Sequence, residues 1–124
     1  LSSAAVSLFS DVEDISKFYQ DCAIVIVPLR IGGGTRVKIL EALAYKRPVV
    51  TTTIGAEGLD IINDKHVIIK NNSEDFANSC VEILNNFALA KKLADEGLKL
   101  VSQKYSFNGI ELSIRNLFNY KFQN

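Results

Sequence analysis

Three consecutive glycines, Gly32, Gly33 and Gly34, followed by Thr35, Arg36, Lys38 and Glu41, are the residues of this 124-residue chain whose types and spacing could do chemistry. Consecutive glycines lose much chain entropy on folding, so they imply left-handed dihedrals or a backbone that a ligand approaches closely. A helix beginning just after them presents free amide N–H groups and the positive end of its dipole. That is an anion site, to which Thr35 adds a hydroxyl donor. Positions 34, 38, 41 and 45 set Gly34, Lys38, Glu41 and Tyr45 along one face of that helix. At a rise of about 1.5 Å per residue, Lys38 stands ~6 Å and Glu41 ~10 Å beyond the anion site, and both lean back toward it. A ligand matching this row carries phosphate at one end and two neighbouring hydroxyls further on, as a nucleoside diphosphate does. Lys38 would neutralise phosphate charge, and Glu41 would accept from both ribose hydroxyls. The same spacing also suits a solvated Lys38–Glu41 pair worth ~0.3 kcal/mol, and spacing alone does not choose between the two.

The common phosphate fingerprints fail here. A dinucleotide G-x-G-x-x-G starting at Gly32 meets Val37 where its third glycine belongs, and no Gly-Lys-Ser or Gly-Lys-Thr of a P-loop occurs. Arg30 and Arg36 flank the glycines and are further candidates for a diphosphate, although an arginine beside a loop can equally be a local ion partner. Glu57 sits between Gly55 and Gly58 in a loop after a strand, where open parallel sheets bind ligands, or where such a loop merely caps a helix. His66 has no adjacent carboxylate or cysteine and reads as structural. Cys22 and Cys80 have no metal-ligand spacing and read as reduced core thiols.

The elements that must position these residues follow from periodicity. Short apolar, β-branched runs alternate with longer segments of helical period, the pattern of an α/β fold with a Rossmann-like parallel sheet and flanking helices. Ala23–Pro28 reads as a strand buried on both faces, Pro48–Thr53 as the next, and Val67–Lys70 as a third, shorter one. Helices are expected over about 14–20 with Asp11 as cap, over 34–45, over 74–85 with Ser73 as N-cap, over 87–104 and over 107–120, where aromatic residues would dock the last helix. The charges balance, 14 basic against 14 acidic, so no basic field exists to gather nucleic acid. No apolar run approaches the ~20 residues of a membrane span, and no signal pattern opens the chain. The chain lacks Met and opens at Leu1, so it reads as one domain, 1–124, of a longer protein.

The segment Pro28 to Ala42, with Gly32, Gly34, Thr35, Lys38, Glu41 and Ala42, then Pro48-Val49-Val50 and Gly55, Glu57 and Gly58, resembles the donor-binding motif of retaining GT-B glycosyltransferases of family GT4. The likeness extends from Asp11-Val12 to Lys104-Tyr105-Ser106. It implies the C-terminal half of a two-domain cytoplasmic sugar transferase, N-terminally incomplete, whose acceptor domain lies outside this chain. It further implies that Gly33, Gly34 and Thr35 face the diphosphate of a nucleotide sugar, that Lys38 supports it and that Glu41 holds the ribose. Transfer would proceed with retention, without a required metal, to a glycan or lipid-linked acceptor. Peripheral membrane association would belong to the full-length enzyme, and this piece alone would be inactive. Many members carry a second glutamate eight positions before the first, at the sugar. That place is Gly33 here, so backbone groups or another residue must position the sugar. Two other readings compete. One is a non-enzymatic flavodoxin-like regulatory or interaction domain, which as a phosphoacceptor would need an aspartate at a strand end, where this chain has Val27-Pro28-Leu29. The other is a fragment that dimerises through an exposed sheet edge without binding a ligand.

Overall fold

A computed structural model of the chain describes residues 16–105. Its elements run α1 (Ser16–Asp21), β1 (Val25–Val27), α2 (Arg36–Ala44), β2 (Val49–Thr51), β3 (Ile68–Ile69), α3 (Ser73–Asn85) and α4 (Phe87–Lys104). The expected cap Asp11 and the helix expected over 107–120 lie outside the described residues.

The strands form one parallel sheet in the order β1-β2-β3, with Val25 opposite Val49, Val27 opposite Thr51, and Val50 opposite Ile68. Because side chains alternate along a strand, β2 feeds both faces. Val49 packs on one side with Val27, Ile39, Leu43 and Val67, and Val50 on the other with Ile68, Phe76 and Ile83. α2 covers the first face and α3 the second. α4 reaches both cores, joining the second through Leu93 and the first through Val101. Gly97 lets it lie on α2: a Cβ there would stand 2.6 Å from Leu43 Cδ2.

β1 departs from expectation. Continuous hydrophobicity predicts a strand buried on both faces, yet Ile26 is 51% exposed while its row neighbours Val50 and Ile68 are buried. The cover that α3 gives Val50 does not extend to this outer position.

Helix ends follow capping chemistry. Asn72, in an extended conformation, accepts from the amides of Glu74 and Asp75 and caps α3, one residue before the expected Ser73. Asn86 ends α3 and caps α4 by accepting from the Leu89 amide. His66 is buried with Nδ1 accepting from the Ile62 amide at 3.0 Å, which is the structural role expected of it. Cys22 and Cys80 are free and half-buried rather than deep in a core. No described helix is long and apolar enough to cross a membrane.

Candidate functional site

In a parallel sheet every strand delivers its following loop to the same edge, and open α/β sheets bind ligands there. The loops after β1, β2 and β3 are laced together at this edge. The Thr52 hydroxyl donates to the Leu29 carbonyl and accepts from the Gly55 amide, tying the first loop to the second. Asn71 accepts from the Thr53 amide at 2.9 Å and donates to the Thr53 hydroxyl at 2.8 Å, tying the second to the third. Gly55 is obligatory in this lacing: a Cβ would fall 2.3 Å from Thr51 Oγ1 and 3.2 Å from Val27 Cγ1.

The glycine turn stands at the rim. Gly32 and Gly34 have φ of 98° and 84°, the left-handed region that favours glycine. A Cβ added at Gly32, Gly33 or Gly34 would meet nothing within 4 Å, so all three face open space. Thr35 then enters α2 in a helical conformation, and its side chain makes no capping bond. Its hydroxyl donates instead to the Gly55 carbonyl at 2.9 Å. The expected donor is therefore committed to the neighbouring loop, while the amides of Arg36, Val37 and Lys38 have no acceptor among the described residues. First-turn amides with no acceptor among the described residues, a dipole end and a bare glycine backbone are the groups with which a helix start favours an anion, with no need of net positive charge.

Lys38 is exposed in the first turn of α2. Glu41, expected on the same open face, is only 6% exposed. The cause is α1. Tyr19 stacks on Tyr45 with ring centroids 5.2 Å apart and planes 8° from parallel, which sets its ring over the lower half of that face. Burial pushes the Glu41 carboxyl above its ordinary range, and the Tyr19 hydroxyl and Lys38 ammonium oppose that shift without cancelling it. Burial and the nearby Glu41 charge hold the Tyr19 phenol well above the ordinary tyrosine range, so it stays protonated.

The flanking candidates divide. Arg36 lies over Gly58, where a Cβ would be 3.6 Å from its Nε, and so bridges the start of α2 to the second loop. Arg30 donates to the Ser73 hydroxyl at 2.7 Å and borders a 170 Å³ cleft with Thr52 and Asn71. Glu57 is exposed and lines another cleft, of 460 Å³, with Thr53, Ile54 and Ile69. A 530 Å³ cavity at the opposite, amino-terminal edge of the sheet, beside Ala23, Pro48 and Phe87, is remote from all of these. Periodicity missed Thr52, Asn71 and the overlying Tyr19. Only Tyr19 left a trace in sequence, as an aromatic residue with a polar tip in a short helix. Among the described residues, no group of three or more His, Cys, Asp or Glu could hold a metal ion.

Comparison with known proteins bears on what such an edge serves. Residues 1–86 match the family described as glycosyl transferases group 1. An uncharacterised glycosyltransferase of Methanocaldococcus jannaschii is 29% identical over 108 residues, covering 86% of this chain and 30% of its own length. A poly(ribitol-phosphate) alpha-N-acetylglucosaminyltransferase of Staphylococcus aureus is 32% identical over 89 residues, covering 69% of this chain and 18% of its own length. This chain thus spans less than a third of the curated relatives it matches. Among solved structures, the C-terminal domain of a glycosyl transferase group 1 family protein (LpcC) from Francisella tularensis superposes with a TM-score of 0.71 at 25% identity, covering 82% of this chain and 53% of that one. Sucrose-phosphate synthase from Thermosynechococcus elongatus shares the fold, with a TM-score of 0.63 at 21% identity over 88% of this chain and 28% of that one.

Proposed function

Since the chain belongs to the glycosyl transferases group 1, we propose that it is the donor-binding half of an enzyme that moves a sugar from a nucleotide diphosphate sugar to a glycan or lipid-linked acceptor, with retention. The observation that carries this reading is the glycine turn, open on its outer side and leading into α2 amides that no described residue engages. In this reading the diphosphate sits against Gly33, Gly34 and the first turn of α2, with Lys38 beside it and Glu41 accepting from the ribose diol. The chemistry asked of these groups is electrostatic. They stabilise negative charge gathering on the leaving diphosphate, and fixed dipoles do so without reorganising during the reaction. The bond between the anomeric carbon and the diphosphate oxygen breaks, the acceptor hydroxyl oxygen bonds that carbon on the face the diphosphate leaves, and the acceptor's proton passes to the departing diphosphate oxygen. We assign the neutralisation to the α2 amides and Lys38, with no metal. Gly33 leaves no acidic side chain at that place, so backbone groups or another residue position the sugar. Acceptor recognition, and any peripheral contact with a membrane, belong to parts of the full-length cytoplasmic enzyme beyond this chain.

Lys38→Ala in the full-length protein tests the diphosphate role. A charge-assisted contact of this kind is worth about 1.5 kcal/mol or more, so calorimetry should show roughly tenfold weaker binding of nucleoside diphosphates. Unchanged affinity would remove Lys38 from the site. A thermal-shift panel that found stabilisation by acyl phosphates but not by nucleoside diphosphates would move the assignment to a regulatory domain.

A further inference from the structure

We propose that Tyr19 is a positioning residue for Glu41, its hydroxyl taking part of the carboxylate so that the remaining oxygen is turned to a ribose diol; the inference rests on the donor-binding reading of α2. Glu41 and Tyr45 are i,i+4 neighbours on one helix face; the Tyr19 ring stacks 5.2 Å from Tyr45 and nearly parallel to it, and its hydroxyl engages the Glu41 carboxylate. The backbone that carries the ring is fixed as well. Arg47 donates through Nε to the Tyr19 carbonyl at 2.6 Å and through Nη2 to the Gln20 carbonyl at 2.7 Å, a planar fork that clamps the end of α1 against the end of α2. No buried side-chain oxygen or nitrogen among the described residues lacks a partner. Each Glu41 carboxylate oxygen is therefore either hydrogen-bonded or open to solvent. A carboxylate has about four acceptor positions, so one phenol donor leaves room for a diol. The other charged or titratable groups bearing on this pair are Lys38 from α2, Tyr45 at its C-terminal cap, and Cys22 just after α1.

The test measures calorimetric affinities of the full-length protein for UDP, GDP and ADP, each against its 2′-deoxy counterpart, with pyrophosphate as the reference for the phosphate end. Tyr19→Phe keeps the ring and its stack on Tyr45 and removes only the hydroxyl. The expected result is a fall of about fivefold to tenfold in the preference for ribose over deoxyribose, with pyrophosphate affinity unchanged. A second readout separates orientation from mere packing. The hydroxyl favours the ionised carboxylate, so without it the acid-side loss of ribose preference should move to higher pH. A Y19F protein with the wild-type ratio and the wild-type acid limb overturns the inference. Glu41→Gln distinguishes this from failure of the parent reading. If E41Q keeps its ribose preference, the ribose role of Glu41 falls; if E41Q loses it and Y19F does not, only the role of Tyr19 falls. Should Y19F not fold, Arg47→Gln loosens the clamp without touching either side chain and should lower the ratio in the same direction, and an unchanged ratio there overturns the inference equally.

Discussion

Glu41 occupies a place in α2 that stability alone would give to an apolar residue. It lies among Ile39, Leu40, Ala42 and Leu43, all buried, and its carboxyl is held above its ordinary range by loss of water. Linkage fixes the sign: a carboxyl whose folded pKa exceeds its unfolded one favours the folded state below the unfolded pKa, and loses that contribution as pH rises through the folded pKa. At pH 7 the charged form is thus a burden that Glu41→Gln removes. Thermal denaturation should give E41Q the higher midpoint at pH 7, with the difference shrinking as pH falls toward the ordinary carboxylate range. An unchanged midpoint at pH 7 would mean that the carboxylate is better solvated than its burial implies. Sequence spacing legibly set Lys38 and Glu41 on one face, because helical period is local. It could not foresee that Tyr19, 22 positions upstream, covers Glu41, nor that Thr35 spends its hydroxyl on Gly55, 20 positions downstream.

The elements were legible for the same reason that they are stable. β-branched runs gave the strands, and turn residues gave the ends of α3 and α4 to within a residue. The missed cap shows the limit. Asn72 and Ser73 are both good caps, and the choice fell to the residue whose backbone stays extended, while Arg30 from the first loop engages Ser73. The exposed Ile26 shows another: hydrophobicity says that a side chain can be buried, whereas the reach of α3 decides whether it is. How the three loops are joined was not legible, since each bond closes many residues of chain. Gly55 concentrates that dependence. Gly55→Ala drives a methyl into Thr51 and Val27 at the root of the loop, and overpacking of this kind costs about 2 kcal/mol. Its thermal midpoint should fall by roughly 10 °C, and its nucleotide affinity should fall as well because Thr35 loses its anchor. Wild-type values in both measurements would show that the loop relaxes freely.

At the scale of the molecule, the chain spans 30% of its archaeal relative's length and 53% of the LpcC domain on which it superposes. In the proposed reading the groups gathered at its carboxyl edge serve the leaving diphosphate, and acceptor recognition belongs to the full-length protein. We therefore expect the 124-residue chain alone to transfer no sugar from nucleotide diphosphate sugars under conditions where the full-length protein does; turnover by the chain alone would put the acceptor site within it. A final consequence comes from Gly97, where the absence of a side chain seats α4 directly on Leu43. The helix proposed to hold the donor thus packs directly against α4 at this point. A single added methyl at that remote contact would tilt it like a wedge under a beam, so an enzyme weakened in donor grip could carry its lesion on the far side of the fold, out of reach of any ligand.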